Sequence, residues 1–301
     1  MYQIISDGSC DLGIEAAKKY GIHVVPFYVS IDGEYYKKEI EEIGVMDFYQ
    51  QMLDYPEMTP KSSLPSVQDF VNAFSIYAKQ GIDVICLCIT TKFSGSYNSA
   101  LTASEMVKEQ YPDRKIQVID TTVNTVLQGL LVIEAAKMKN AGLTMEQTVA
   151  RIEEIKKTGR IFFTIKNMDY LVKGGRAGKV TGRITNCFAL KPVIVLKEGE
   201  IFLGGIARGR KKSLDKVIQK GHEYFADNNL NPKDFSFAIG VGYNHEEAEP
   251  FRGELLRDFD GAISRENVPI RQIGATIGVH TGPEPIGYGV IEKWNSSSFM
   301  K

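Results

Sequence analysis

GIDVICLCITTKFSGSYNSA, residues 81–100, is the stretch that decides the fold class. Its first part is an almost unbroken apolar run, which predicts a buried strand over 82–89. A cluster of hydroxyl side chains around one glycine follows at once, and a helix is predicted directly after it. A buried strand that leads through a polar loop into a helix is typical of a parallel βαβ unit. Ligands of such sheets collect beyond the carboxyl ends of the strands, so the loop at 90–96 is the first candidate for a binding site.

The same alternation of strand and helix extends through the N-terminal half of the chain. Strands are predicted at 2–6, 22–31, 82–89 and 115–120, and amphipathic segments lie between them. Pro26 is expected to break the second of these strands. Ser66 with Asp69, and Thr144 with Gln147, match the capping-box pattern of helix N-termini. This half is therefore predicted to be an α/β domain with a parallel sheet.

The C-terminal half mixes hairpins and helices. Strands are predicted at 161–165, 235–243, 268–273 and 288–293, helices near 214–225 and 245–258, and a hairpin at 192–207. This pattern predicts an α+β domain. We expect residues 1–158 to form the first domain and residues 159–301 the second.

Composition and charge exclude several classes of protein. The 301 residues carry a formal net charge of −1, which argues against a nucleic-acid binder that reads the phosphate backbone. Residues 151–220 nevertheless hold 17 Lys and Arg against 6 Asp and Glu, so they form either solvated helix faces or a basic surface for an acidic partner or a phosphorylated ligand. No signal peptide and no apolar stretch of membrane-spanning length is visible, so a cytoplasmic protein with at most transient membrane contact is expected. Cys10, Cys86, Cys88 and Cys187 lack metal-ligand spacing and are expected to be reduced core residues.

The loop at 90–96 has the composition of an anion site. It lacks the lysine of a P-loop and the GxSxG pattern of a hydrolase nucleophile. Backbone N–H groups at the N-terminus of a helix, together with serine hydroxyls, can hold a phosphate or a carboxylate. Ser94 and Ser96 could equally serve only to cap the helix, and the loop alone does not decide between these roles.

Further polar motifs occur elsewhere in the chain. KSSLPS (61–66) adds hydroxyls on a loop that Pro65 stiffens, and HTGPEPIG (280–287) is expected to be a rigid irregular loop that presents His280. KGGRAGKVTGR (173–183) and ARGRKK (207–212) supply arginines, whose planar side chains suit carboxylates and phosphates. Each motif could also be an ordinary solvent-exposed turn.

Taken in order, these motifs resemble the DegV family of bacterial fatty-acid-binding proteins. The matching segments are SDGSCDL (6–12), SSLPS (62–66), FSGSYNSA (93–100), MDYLVKGGRAGKV (168–180), ARGRKK (207–212) and VHTGPEPIGYG (279–289). The resemblance implies an N-terminal α/β domain and a C-terminal α+β domain with one fatty acid between them. The family includes the fatty-acid-binding subunits of bacterial fatty acid kinase. Such a subunit holds the acyl chain in an apolar tunnel and presents its carboxylate to a separate ATP-binding kinase subunit, and the acyl phosphate then enters phospholipid synthesis.

The resemblance also implies roles for individual residues. Ser62 and Ser94 would hydrogen-bond the carboxylate, with the backbone near Gly95 and the side chain of His280 close by. Arg176 and Arg208 would stabilise the acyl phosphate or contact the kinase. Leu64 departs from the family pattern, which commonly has a glutamine at that position, so an amide that could support the loop is lost here.

The expected function is therefore that of a lipid-binding protein without catalytic activity, cofactor or metal. Its ligand would be a long-chain fatty acid such as palmitate or oleate, and its partner a fatty acid kinase subunit. One alternative is a stand-alone acyl hydrolase or transferase with Ser94 as nucleophile and His280 as base. Another is a phosphate-ligand sensor that uses the basic middle segment.

Overall fold

The computed structural model describes residues 1–178 and 190–296. The N-terminal half contains, in chain order, β1 (Tyr2–Asp7), α1 (Gly13–Tyr20), β2 (His23–Val25), β3 (Tyr28–Ser30), β4 (Lys37–Lys38), α2 (Val45–Asp54), β5 (Lys61–Ser63), α3 (Val67–Ala78), β6 (Asp83–Cys88), α4 (Ser96–Gln110), β7 (Ile116–Asp120), α5 (Thr125–Asn140) and α6 (Met145–Ile155). The C-terminal half contains β8 (Arg160–Thr164), α7 (Asp169–Lys173), β9 (Leu190–Lys197), β10 (Glu200–Arg208), α8 (Arg210–Asp227), β11 (Phe235–Val241), α9 (Ala248–Asp258), β12 (Ile270–Gln272), α10 (Ala275–Thr281) and β13 (Ile286–Glu292).

A parallel sheet forms the centre of the N-terminal half. Its strands lie in the order β2, β1, β6, β7, and each neighbouring pair is parallel. Side chains of β6 alternate between two apolar layers, with Ile85 and Leu87 facing α5, and Cys86 and Cys88 facing α3 and α4. The predicted α/β class of this half is confirmed, and the two cysteines lie on one face as free thiols with their Sγ atoms 3.7 Å apart.

The C-terminal half is an α+β domain, as predicted. Its strands lie in the order β10, β9, β8, β13, β11, β12, and the pairing is antiparallel except between β11 and β12. Helices α8 and α9 cover one face of this sheet, and α5 of the N-terminal half packs against β11 and β13 on the other. Because α5 is buried between the two sheets, one hydrophobic core runs across the predicted boundary at residues 158–159.

Pro26 marks the point where one predicted strand becomes two. The segment before it, β2, joins the parallel sheet, whereas β3 after it pairs with β4 and β5 in a small antiparallel sheet. This small sheet lies against α10, and α2 packs on the same helix through Phe48, Tyr49 and Met52. The small sheet was not predicted, because its strands are too short to give a clear alternating pattern.

The irregular loop predicted at 280–287 is shorter than expected, because His280 belongs to the last turn of a helix. Residues 275–281 form α10, and only 282–285 lie between this helix and β13. Gly282 ends the helix with a φ of 77°, a conformation that strongly favours glycine. The capping boxes predicted at Ser66 and Thr144 are both present. Among the described helices, none is long and apolar enough to cross a membrane.

Candidate functional site

A cavity of about 230 Å³ opens where the loops after the parallel strands meet the C-terminal sheet. One group of lining residues is polar and comprises Ser62, Ser63, Ser94, Arg176, His280 and Thr281. Most of the remaining wall is apolar and includes Phe93, Val126, Phe163, Leu196, Ile201 and Ile277. Such a cavity suits a ligand with one polar group and a hydrocarbon body. Both halves of the chain contribute to it.

The structure brings Ser62 and His280 into direct contact. Ser62 lies on β5 and His280 in the last turn of α10, and the Oγ and Nε2 atoms are 3.1 Å apart. Which atom donates depends on the imidazole tautomer. The other ring nitrogen, Nδ1, is buried against Gly174 and has no hydrogen-bond partner among the described residues. A side chain at position 174 would collide with the imidazole, so this glycine is required for the close approach.

His280 is an uncharged group in positively charged surroundings. Burial is the main cause that lowers its pKa to about 4, and the positive charges of Arg176 and Lys61 lower it further. At neutral pH the imidazole is therefore neutral and acts only as a hydrogen-bonding group. A negatively charged ligand group at this end of the cavity would meet the guanidinium of Arg176 and a neutral polar ring, with the charge of Lys61 nearby.

The loop after β6 presents Ser94 and Gly95 to the cavity. The Oγ atom of Ser94 accepts a hydrogen bond from the backbone N–H of Ser96 at 3.2 Å. The side chain of Ser94 therefore satisfies one of the free N–H groups at the start of α4. Its own hydroxyl proton can still be donated to a ligand. The hydroxyl of Ser96, the second candidate for capping the helix, is buried and donates instead to Asp7 at 2.7 Å. Of the two candidate capping residues, only Ser94 therefore contacts the N-terminus of α4 through its side chain.

Asp7 is a buried residue of the site that the sequence did not reveal. Its carboxylate accepts hydrogen bonds from the hydroxyls of Ser9 and Ser96, the amide of Gln128 and the backbone N–H of Ile89, at 2.6–2.9 Å. Burial raises its pKa, and these four hydrogen bonds oppose the rise. The carboxylate joins the ends of β1 and β6 to the starts of α4 and α5. It thereby supports the loop that carries Ser94.

Arg176 lines the cavity at its exposed mouth. It is exposed, its Nε donates to the carbonyl oxygen of Phe93 at 3.2 Å, and its Nη1 donates to that of Gly174 at 2.6 Å. These bonds connect the segment after α7 with the loop that carries Ser94. Lys61, which precedes Ser62, was not singled out from the sequence, although its charge acts on His280.

Leu64, which departs from the family pattern, and Arg208, the second arginine that the resemblance implies, have different positions relative to the cavity. Leu64 lines the cavity, and its Cδ2 lies 3.3 Å from the point where Gly95 would carry a side chain. It therefore contributes apolar wall close to the loop of Ser94. Arg208 is exposed at the end of β10 and does not line the cavity. Lys179, Arg183 and Cys187 lie outside the described residues.

The position of His280 does not fit the hydrolase alternative. That alternative requires Ser94 beside a basic His280, but the imidazole is bonded to Ser62 and its low pKa makes it a weak base. No carboxylate of the described residues orients its second nitrogen, as a catalytic triad would need. Within the described residues, no cluster of His, Cys, Asp and Glu is arranged to hold a metal ion. The arrangement is suited to holding an anionic head group rather than to attacking one.

Comparison with known proteins gives consistent results over the whole chain. The model of the DegV family of uncharacterised proteins matches residues 1–293. The crystal structure of a stearic acid-binding protein from Eubacterium ventriosum is 43% identical, with a TM-score of 0.92 over 98% of this chain and 99% of its own. A DegV family protein from Thermus thermophilus, whose structure is described as showing fatty acid binding, is 25% identical with a TM-score of 0.84 over 97% and 99% of the two chains. A fatty acid-binding protein from Thermotoga maritima is 30% identical over 292 residues, which are 96% of each chain.

Proposed function

The chain belongs to the DegV family, and we propose that it binds one long-chain fatty acid in the cavity between its two halves. The observation that carries this proposal is the division of the cavity wall into one polar group of residues and a mostly apolar remainder. The related proteins that are described as binding stearic or other fatty acids support the same ligand class. Palmitate and oleate are the ligands that we would test first.

The carboxylate would lie at the polar end. Ser62 and Ser94 can each donate a hydroxyl proton to it, and the backbone near Gly95 lies at the start of α4, where N–H groups favour a negative charge. His280 would orient Ser62 through their mutual hydrogen bond. Arg176 and Lys61 would add long-range attraction for the anion. This site offers several donors to a carboxylate without placing a strong base beside a nucleophile.

The hydrocarbon chain would occupy the apolar part of the cavity. Each methylene that is removed from water contributes about 0.8 kcal/mol before the costs of binding are subtracted. Val126 at the start of α5, Phe163 on β8 and Ile277 on α10 belong to different layers of the fold and share this wall. A chain held there would therefore contact both halves of the protein.

The bound carboxylate would be presented to a separate kinase subunit that phosphorylates it, and the acyl phosphate would serve phospholipid synthesis. Arg176 is exposed at the mouth of the cavity, where it could stabilise the phosphate or contact the kinase. Arg208 is exposed at the end of β10 and would be a second contact for the partner rather than for the ligand. On this account the protein carries its ligand and does not transform it alone.

A titration with oleate tests the binding proposal. Delipidated wild-type protein should bind one oleate, and Ser94→Ala should weaken the affinity about tenfold, because one hydroxyl donor to a charged group is lost. Ser264→Ala is the matched control, since Ser264 is exposed and does not line the cavity, and it should bind as the wild type does. Absence of oleate binding by the wild type, or equal affinities of all three proteins, would refute the proposal.

A second experiment separates binding from presentation. Arg176→Ala should retain oleate within about threefold, because its charge acts at the mouth, but it should reduce acyl-phosphate formation in the presence of the kinase subunit and ATP at least tenfold. Arg257→Ala, which removes an exposed arginine of α9, serves as the control for loss of one positive charge. If Arg176→Ala lost binding to the same extent as Ser94→Ala, the proposed division of roles would be wrong.

A further inference from the structure

Two buried carboxylates, Asp11 and Glu39, lie directly behind the wall of the cavity and have no part in the binding described so far. Neither lines the cavity, but each accepts a hydrogen bond from the hydroxyl of a threonine that does. Asp11 accepts from Thr125 at 2.5 Å, and Glu39 accepts from Thr276 at 2.6 Å. The two hydroxyls therefore point to the carboxylates and are not available as donors to a ligand in the cavity.

Glu39 also holds the N-terminus of α10. Its two carboxylate oxygens accept the backbone N–H groups of Ala275 at 2.5 Å and of Thr276 at 3.2 Å. These are N–H groups that an isolated helix leaves without partners, and a negative charge is favourable there. Gly274 lies between the two carboxylates, and a side chain at this position would collide with both. The start of α10 is therefore fixed in place by residues that are far away in the sequence.

The small sheet holds the same helix at its other end. Glu39 follows β4 directly, and its backbone N–H donates to the carbonyl oxygen of Phe27, next to β3. The same sheet carries Ser62 on β5, which contacts His280 in the last turn of α10. Helix α10 is thus bound to this sheet near both of its ends, through Glu39 at the start and through Ser62 at the end.

We infer that Glu39 is a positioning residue of the site: it fixes α10 against the small sheet and thereby sets the contact between Ser62 and His280. The geometry of this contact can be measured without ligand, whereas its effect on affinity rests on the proposed fatty-acid binding. The role is one of alignment, since neither carboxylate reaches the cavity.

The two carboxyl groups are buried next to one another and next to other titratable groups. Burial raises the pKa of both carboxyl groups, and the charge of Glu39 raises that of Asp11 further. Asp7, Tyr49 and Cys10 face the pair and are themselves buried, and Arg271 is the nearby positive group. Both carboxyl groups are held by hydrogen bonds from within the protein, and those of Glu39 reach the start of α10 directly.

Histidine-selective nitrogen-15 NMR spectra of the ligand-free protein test the inference. The chain contains four histidines, and His280→Gln identifies the signals of His280. In Glu39→Ala the ring signals of His280 should shift or broaden, while those of His23, His222 and His245 stay unchanged. In Glu39→Gln the amide can still accept one N–H and donate to the hydroxyl of Thr276, so the wild-type signals should largely return. Glu41→Gln, an exposed position of the same segment, is the matched control and should leave the His280 signals unchanged, although its charge acts on His23.

The affinity for oleate should follow the same order. We expect a loss of about tenfold or more in Glu39→Ala, recovery to within about threefold of the wild type in Glu39→Gln, and no change in Glu41→Gln. Unchanged His280 signals and unchanged affinity in a folded Glu39→Ala protein would overturn the inference. A loss in Glu39→Gln as large as that in Glu39→Ala would overturn it as well, because alignment through hydrogen bonds predicts rescue.

A milder substitution keeps the test decisive if Glu39→Ala does not fold. Thr276→Val removes one donor to Glu39 and preserves the shape of the side chain. It should move the His280 signals in the same direction as Glu39→Ala and weaken oleate binding about threefold, and an unchanged spectrum would count against the inference. Failure of the wild type to bind oleate would refute the proposed function, whereas the ligand-free spectra would still decide whether Glu39 positions His280.

Discussion

At the scale of single residues, the site depends on two largely buried polar groups, His280 and Asp7. His280 is neutral although it lies near the positive charges of Arg176 and Lys61, because burial and these charges both disfavour its protonation. Asp7 is buried, and its hydrogen bonds are made within the protein rather than to a ligand. The carboxylate of a fatty acid would therefore meet hydroxyl donors and positive charge, with the buried aspartate kept behind the loop.

The low pKa of His280 predicts a pH dependence of stability. In the unfolded chain this histidine takes up a proton near pH 6.5, whereas in the folded protein it does so only near pH 4. As the pH falls from 6.5 to 4, the folded state should therefore lose up to about 3 kcal/mol of stability from this group, and above pH 6.5 there should be no such loss. Urea unfolding at a series of pH values should give a shallower acid slope for His280→Gln than for the wild type. Parallel slopes for the two proteins would contradict this assignment.

Replacement of Asp7 should be far more costly than replacement of an exposed aspartate. Asp7→Ala removes the acceptor of four buried hydrogen bonds, so a loss of about 3 kcal/mol or more in the free energy of unfolding is expected. Asp113→Ala, at an exposed position between α4 and β7, should change stability by less than about 0.5 kcal/mol. Chemical denaturation measures both values, and similar small losses in the two variants would show that Asp7 does not support the loop.

Several residues that line the cavity could be predicted from the sequence, but the contacts between them could not. Ser62, Ser94, Gly95, Arg176 and His280 all line one cavity, although they come from four separate segments of the chain. The contacts between these segments were not visible, because a local pattern contains no information about a partner such as Asp7, which lies 89 residues before Ser96. For the same reason the hydroxyls of Ser94 and Ser96 could not be assigned to their actual partners.

At the scale of secondary-structure elements, α5 and α10 determine how the two halves meet. Helix α5 packs so closely on the turn after β1 that a side chain at Gly129 would lie 2.5 Å from the carbonyl oxygen of Cys10. Helix α10 packs equally closely on α2, where a side chain at Gly278 would collide with Tyr49. Both helices contribute residues to the cavity wall, so their positions set its shape.

Two glycine-to-alanine substitutions in helices should have opposite effects. Alanine is normally favoured over glycine inside a helix by about 1 kcal/mol. Gly129→Ala in α5 should nevertheless destabilise the protein by about 1–3 kcal/mol, because the added methyl group meets backbone that cannot easily move. Gly253→Ala in α9 has open space around it and should give the normal gain. Thermal or urea unfolding of both variants checks the prediction, which fails if the two substitutions change stability in the same direction.

Helix α10 shows why one element was missed. Its neighbourhood is rich in glycine and proline, so the sequence indicated an irregular loop. The helix is only seven residues long, and its N-terminal N–H groups are bound by Glu39, more than 230 residues earlier in the chain. Short helices depend on such tertiary contacts rather than on local propensity, and those contacts cannot be inferred from the segment itself. The longer elements, such as β6 and α5, have patterns strong enough to be predicted.

At the scale of the whole molecule, the two predicted fold classes are confirmed, and they share one continuous core. The parallel sheet and the mostly antiparallel sheet lie on opposite sides of α5. Alternating strands and helices were enough to predict each class, but not the way in which one helix serves both sheets. The cavity forms at this junction, so a ligand there would contact both halves of the chain.

Binding of a fatty acid should therefore stabilise the whole protein. Oleate at a free concentration 100 times its Kd should add about 2.7 kcal/mol to the free energy of unfolding and raise Tm by several degrees. The rise should be smaller for Ser94→Ala at the same oleate concentration, because its affinity is lower. Differential scanning calorimetry measures both shifts. An unchanged Tm of the wild type in the presence of excess oleate would argue against a ligand site at the junction of the two halves.

The central claim is that the cavity holds one fatty acid, and mass spectrometry of the purified protein tests it most directly. Under native conditions we expect a species heavier than the chain by the mass of one long-chain fatty acid, and organic extraction should release that acid intact. Ser94→Ala should carry less of it, and Ser264→Ala should carry the wild-type amount. Wild-type protein that carries no fatty acid and acquires none when delipidated samples are incubated with palmitate or oleate would contradict the account.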